Sequence, residues 1–456
     1  MLQAIDRFLA AAVDLAWGPG LIVLLLGGGL FLLVRSRLLP FRRAGHALEI
    51  LSGRYDQASD PGQLTHFQAL STALSSTIGL GNIGGVAIAI TQGGPGAVFW
   101  MWAAAVVGMA TKFFSCTLAV LYRGEDSAGE IQGGPMYYIE KGMGPRFRFL
   151  AVLFSAFGLI GCLAIFQSNQ VADILRETYA VPGWVTGLAC FLAAGAVSLG
   201  GVRRVGLVAS RIVPVMCVLY LVSTLLVLAS HIGQLPEIFL RILHDAFTGT
   251  AAAGGAVGIT FSQVVRIGVK RAAFSNEAGL GTAPLAHGAA RTKEPVREGL
   301  VAMLGPFIDT IVICSLTAFV ILATGLWEGT EGVEGVTLTI RAFESTLGAP
   351  GRFLLVIAAV LFGYSTMIGY SYYGRKCFAY LFGAQRARIY DAFYLVMLFI
   401  GAIWSAASVV NLIDTAYALM AIPNMIAVLW LSPKVIEAAK DYFRRQQNEV
   451  RGGAGR

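Results

Sequence analysis

Charge is what this sequence has least of. Asp, Glu, Lys and Arg supply 13% of its 456 residues, roughly half the share a soluble domain carries. With 56% hydrophobic residues and a mean hydropathy of +0.69, the composition excludes a soluble globular chain and implies a polytopic membrane protein. Proline is also sparse, at 15, and no low-complexity run occurs, so the 55 glycines do not signal disorder. They fit close helix packing and interrupted membrane helices. None of the six cysteines has CxxC spacing, and the five histidines are scattered, which argues against a disulfide framework or a metal-ligand cluster. No GxxxxGK[ST], HExxH or GxSxG occurs, so an ATP-driven pump or an intramembrane hydrolase is not expected, and the chain reads as no enzyme. The net charge of +8 does not call for nucleic acid, because membrane proteins collect Lys and Arg at one face. No cleavable leader is expected, since Leu21 to Val34 runs straight into Arg35 and Arg37 as a retained anchor would.

A spanning helix needs about 20 mostly apolar residues. Length and flanking charge predict spans near 14–34, 66–91, 94–122, 148–175, 184–200, 206–230, 250–272, 298–324, 351–383, 388–407 and 409–431. That all-α reading has about eleven transmembrane helices. Residues 235–249 read as a short interfacial amphipathic helix. Basic residues gather in alternate loops, at Arg35 to Arg54, Arg123 to Arg148, Arg203/Arg204, Lys270 to Arg297 and Arg375 to Arg388. The bias predicts an N-terminus outside and a C-terminus in the cytoplasm.

The stretch Leu70 to Gln92 is apolar, yet its middle reads Ser75-Ser76-Thr77-Ile78-Gly79-Leu80-Gly81-Asn82-Ile83-Gly84-Gly85. So many glycines invite the helix to unwind. Unwound backbone survives in a membrane only where protein or a polar cavity satisfies it. A second glycine cluster, Ala253-Gly254-Gly255-Ala256-Val257-Gly258-Ile259-Thr260, predicts a second interrupted span. With the first span set aside, the two clusters occupy matching places in two halves inverted relative to each other, of about five spans each. Paired breaks of that kind point to a transport site at the bilayer midplane. Glycine packing faces are the alternative. The domains expected are 1–60 (extra helix and basic loop), 61–432 (core, with repeats at about 61–234 and 235–432) and a basic tail over 433–456.

Several motifs are specific. GLGNIGG with its flanks, GGPGAVFWMW (93–102), GGPMYYI (133–139), SNEAGLGTAPLAH (275–287) and SYYGRKC (371–377) resemble the alanine/glycine:cation symporter family, in order and over nearly the whole chain. The resemblance implies a LeuT-type amino-acid transporter core of 5+5 inverted helices preceded by one extra N-terminal helix, in a bacterial inner membrane. It implies import of a small neutral amino acid (alanine or glycine, with serine a further candidate) coupled to Na+ by alternating access. The alternatives are proton coupling on the same fold and, less favoured, a channel. Membrane lipid and the substrate are the partners implied. A monomer suffices because both halves lie in one chain.

Under that resemblance, the substrate carboxylate would meet backbone N–H groups around Gly79, Gly81 and Asn82, beside Thr77 and Ile78. The ammonium would meet unwound carbonyls around Gly254, Gly255 and Gly258, near Thr260. Gln167, in the cluster Gln167-Ser168-Asn169-Gln170, would line the pocket from the third core helix, unless the amides only bond between helices. Ser365 and Thr366, with carbonyls at Thr77 and Leu80, would hold sodium between the first and eighth core helices; the plain alternative is hydroxyls bonded back to their own helix. Tyr370 would gate the pocket or pack in the core. Asp309 would act in coupling or pair with Lys112. Glu277 with Lys270, Arg271 and Arg291 would latch an inner gate or serve as a topology signal.

Overall fold

The computed structural model describes residues 2–248, 260–328 and 335–453. Its principal helices, in chain order, are α1 Leu2–Ala16, α2 Pro19–Arg35, α3 His66–Thr77, α4 Gly81–Gly93, α5 Gly96–Leu121, α6 Arg148–Gly161, α7 Ile165–Tyr179, α8 Gly183–Ser198 and α9 Gly201–Ala229. After these come α10 Leu235–Thr248, α11 Phe261–Asn276, α12 Ala283–His287, α13 Pro295–Thr324, α14 Val336–Leu347, α15 Ala349–Phe382, α16 Ala387–Ile403 and α17 Ala406–Gly453. Among the described residues, six helices are long and apolar enough to cross a membrane, or up to eight if each of two bent pairs is one span. The only paired strands described, β1 Gly124–Glu125 and β2 Ile131–Gln132, form a hairpin in the loop after α5.

Burial separates lipid-facing from central helices. On α9 the apolar side chains of Val215, Val218, Val222, Leu225 and Leu226 are all half exposed or more. Their spacing marks one stripe of a 3.6-residue helix, as a surface turned to hydrocarbon requires. By contrast α5 is covered on most sides, packing on α2, α10, α11 and α13. Its small residues permit this: a Cβ on Gly108 would lie 2.7 Å from Ala278 Cβ.

The predicted first break is present. α3 opens with a capping box in which Thr65 accepts from Gln68 N–H and the Gln68 side chain accepts from Thr65 N–H. It ends at Thr77, and α4 leaves at 53° to it. Ile78 is extended (φ −76°, ψ 92°), and the chain re-enters the helix through a π-wound turn over Gly81–Gly85. A second break is described after α11. α11 runs unbroken to Asn276, and the chain then unwinds through Glu277, Gly279 and Gly281, with φ of 56°, 91° and 93°, before α12. Residues 277–282, expected to be loop, are all buried. Gly254, Gly255 and Gly258 lie outside the described residues. Two further interruptions were not foreseen: a kink at Cys162–Ala164 between α6 and α7, and a π-wound segment over Phe307–Cys314 in α13.

Candidate functional site

The first break is held open by its own side chains. Gly79 donates its N–H to Asn82 Oδ1 at 2.9 Å, not back along the helix. Asn82 returns the favour through the backbone, its N–H reaching Gly79 O at 3.1 Å. With that amide diverted, the Ser75 carbonyl one turn earlier accepts from Ser365 Oγ of α15 at 3.2 Å. Next to it, a Cβ on Gly79 would run into Thr366 Oγ1, so only glycine lets α15 come this close. Ser365 and Thr366 also bond to their own helix at Phe362 O, at 2.9 and 3.0 Å. Both hydroxyls thus bond back to α15, and that of Ser365 also reaches the break. Thr77 Oγ1 bonds back to Ala73 O at 3.2 Å. Leu80 is buried, its side chain beside Gly363, where a Cβ would stand 3.3 Å from Leu80 Cδ1.

Asn82 also reaches Asp309. Its Nδ2 donates to Asp309 Oδ1 at 2.7 Å, while Ser275 Oγ and Thr310 Oγ1 donate to Asp309 Oδ2 at 2.8 and 2.7 Å. Asn276 Nδ2 completes the set by donating to Thr310 Oγ1 at 3.0 Å. Asp309 is fully buried and sits in a π-wound segment, as does Asn82. Such segments recur at functional sites, because the widened turn frees polar groups. A carboxylate here is met by neutral donors from α4, α11 and α13. Lys112 is buried on α5, near enough to Asp309 and Glu277 to act electrostatically on both, but it is not among the hydrogen-bonding partners of Asp309.

The second break centres on Glu277, also fully enclosed. Thr282 Oγ1 and Tyr370 OH donate to its two carboxylate oxygens, and Tyr370 and Tyr417 share a hydroxyl contact. Tyr370 is thus a buried anchor between α15, the break and α17. The expected latch of Glu277 with Lys270 and Arg271 does not form. Those two cations instead converge on Asp414 of α17, at 2.6 and 2.7 Å.

Two cavities flank this buried layer. One of about 520 Å³ is lined by Asp14, Phe166, Gln170, Glu177, Lys270 and Thr337, among others. Its lining includes Gln92 and Glu177, at the ends of α4 and α7 remote from the loops 35–54, 123–147 and 199–204. Lys270 and Arg271 lie on that far side, so they do not belong to the basic-loop face to which the charge count assigned them. Phe274 packs edge-on to Phe166, which lines this cavity (5.1 Å between centroids), and against Tyr417 (5.5 Å). A Cβ on Gly81 would stand 3.1 Å from Phe274 Cδ1. Another cavity, of about 320 Å³, lies on the basic-loop face between the β1–β2 hairpin and Arg203, Tyr372 and Lys376.

On the basic-loop side, polar ties close the structure. Glu298 of α13 takes both histidines, His66 at the start of α3 and His287 at the end of α12 (2.5 Å for the latter). Arg123 clamps the carbonyls of Gly288, Ala290 and Thr292. Lys376 Nζ caps Leu285 O at 2.9 Å. Each of these ties a broken helix to its surroundings.

Of the predicted residues, Thr77, Ile78, Gly79, Leu80, Gly81, Asn82, Ser365, Thr366 and Tyr370 are buried around the two breaks. Gln167 is buried on α7, its carbonyl beside Gly363. Its neighbour Asn169 is structural, donating to Gly401 O and Trp404 O at 3.0 and 2.9 Å. Thr260 is displaced from the site: it is exposed and caps the N-terminus of α11, with Gln263 in a capping box. Ser275, Asn276, Thr310, Phe274, Asp414 and Glu298 went unpredicted, although SNE and IDT inside apolar runs carried a signal.

Comparison with known proteins agrees with this geometry. The family described as "Sodium:alanine symporter family" matches residues 2–453. The chain is 41% identical over 443 residues to "Sodium/alanine symporter AgcS" of Methanococcus maripaludis, covering 95% of this chain and 96% of that protein. It is 37% identical over 452 residues to "Probable sodium/glutamine symporter GlnT" of Bacillus subtilis, covering 98% and 92%. Among solved structures, a manganese transporter of Eremococcus coleocola shares the fold, with a TM-score of 0.50 at 11% identity over 82% of this chain and 80% of that one. The chain belongs to the sodium:alanine symporter family: it is a multi-pass membrane transporter, not an enzyme.

Proposed function

We propose that this transporter imports a small neutral amino acid, alanine first, together with Na+ by alternating access. The observation that carries the reading is the pair of buried helix breaks, 78–80 and 277–282, lying between cavities on opposite faces. A channel would need a continuous path, whereas paired helix breaks buried between two cavities suit rocking between two states. Backbone N–H groups around Gly79, Gly81 and Asn82 would take the carboxylate, those of Gly79 and Asn82 by exchanging their bonds within the break for the substrate, and carbonyls of the Glu277 break would take the ammonium. Ile78 and Gln167 would shape the side-chain wall.

Sodium is a hard cation served by neutral oxygens. Ser365 Oγ, Thr366 Oγ1 and carbonyls at Thr77 and Leu80 fit it, because α15 and the break already meet oxygen to oxygen there. Proton coupling is the second reading, favoured by the buried carboxylates Asp309 and Glu277. Counted with the eight candidate spans, the shorter helices α8, α11 and α16 would bring the total to the eleven of a LeuT-type core and its extra helix. We place the N-terminus outside and the C-terminus in the cytoplasm of a bacterial inner membrane. The domain limits 1–60, 61–432 and 433–456 follow, with one chain as the working unit.

Equilibrium binding of labelled L-alanine to the purified protein tests the site. Sodium-dependent binding, competed by glycine and serine but not by glutamine, is expected. Equal binding in sodium and in choline would contradict the coupling.

A further inference from the structure

The basic turn after α2 and the far end of α17 lie outside both breaks, and they meet. Between them is a cavity of about 320 Å³ whose walls carry Arg35, Arg37, Arg42 and Arg43 on one side and Lys440 and Arg444 on the other. Among the described residues, no carboxylate lines it. Arg444 is held by Asp441 at 2.6 Å, but among the described residues no ion pair includes the other five. Arg43 instead lies over the Phe443 ring, 4.2 Å from its centroid.

The turn that gathers these cations is unusual. Arg37 and Leu38 are consecutive non-glycine residues in the left-handed region, with φ of 55° and 58°. Side chains with a Cβ rarely adopt that conformation. The turn brings Arg42 and Arg43 back toward Arg35 while Leu38 and Phe41 stay exposed, at 48% and 56%. Immediately before Arg35, Phe31 and Val34 are exposed as well. The apolar, lipid-facing surface of α2 therefore stops at the rim of the cavity, at the level where hydrocarbon gives way to headgroups.

We infer that this cavity binds the headgroup of an anionic phospholipid carrying two phosphates, its acyl chains lying along Phe31, Val34 and Phe41. Guanidinium forks match phosphate oxygens, and five cations on facing walls that no described carboxylate pairs exceed what one monoanionic head neutralises. The bound lipid would join the extra helix to α17, the helix that also carries Asp414 and Tyr417.

Native mass spectrometry of the purified full chain tests this, with cardiolipin, phosphatidylglycerol, phosphatidylcholine or inorganic pyrophosphate added separately. Cardiolipin should be retained at least tenfold better than phosphatidylglycerol. Arg37→Gln/Arg42→Gln/Arg43→Gln should weaken its retention on the order of a hundredfold. Arg203→Gln/Arg204→Gln, on the same face but away from the cavity, should leave retention unchanged. If the triple variant does not fold, Lys440→Gln on the opposite wall should still weaken retention several-fold. Undiminished cardiolipin retention in folded variants would overturn the site. Equal retention of phosphatidylglycerol would overturn the two-phosphate head, and equal competition by pyrophosphate would overturn the lipid source.

Discussion

Thr366→Val is the sharpest probe of the cation site. The substitution is nearly isosteric and removes one oxygen, the hydroxyl that stands against Gly79. On α15 it breaks the bond to Phe362 O (3.0 Å), but that carbonyl still accepts from Ser365 Oγ at 2.9 Å. The folded state should therefore lose no more than about 1 kcal/mol, the net worth of one such bond. The cation loses more. A neutral group bonded to a charge contributes about 1.5–3 kcal/mol, which corresponds to roughly a 10- to 150-fold loss of sodium affinity. Uptake measured in proteoliposomes against external sodium, at fixed L-alanine, should show the half-saturating sodium concentration raised by that factor. Uptake at saturating sodium should recover most of its rate. A half-saturating concentration within twofold of the unmodified protein would refute a cation ligand at Thr366.

Other substitutions separate the layers of the site. Gly79→Ala should abolish alanine binding, because its Cβ collides with Thr366 Oγ1, while the thermal unfolding midpoint falls by only a few degrees. Asp309→Asn keeps the shape but not the charge that Asn82, Ser275 and Thr310 address; uptake should drop on the order of a hundredfold, as expected for a buried charge stabilised by several donors. Glu298→Gln should weaken the tie between α3, α12 and α13, raising thiol labelling of a cysteine introduced at Ala290 several-fold without changing sodium affinity. Asp414→Asn should loosen the cluster at the floor of the larger cavity and raise the substrate off-rate, read by dilution of pre-bound label.

How much was legible in the sequence differs between the two breaks. At Gly79–Gly85 the glycines and the unwinding coincide, because Ile78 and Gly79 are where α15 must approach. The break predicted at Gly254–Gly258 lies outside the described residues, whereas the break at 277–282 falls in SNEAGLGT, which reads as loop. Hydropathy averages cannot separate polar residues facing solvent from polar residues facing one another, and Ser275, Asn276 and Glu277 do the latter. The charge count failed at Lys270 and Arg271 for a related reason. Their partner, Asp414, arrives from a helix far along the chain. Asn169 shows the converse, since an amide flagged by its cost in lipid proved to hold α7 to the end of α16. Asp309 was visible as a lone acid in an apolar span, but its partners were set by the packing of α4, α11 and α13.

The most direct test of sodium-coupled import is uptake of labelled L-alanine into proteoliposomes under an inward sodium gradient, an inward proton gradient, or neither. The account predicts accumulation above equilibrium with sodium alone, collapsing when the gradient is dissipated. Accumulation driven by protons alone, or mere equilibration under every condition, would contradict it.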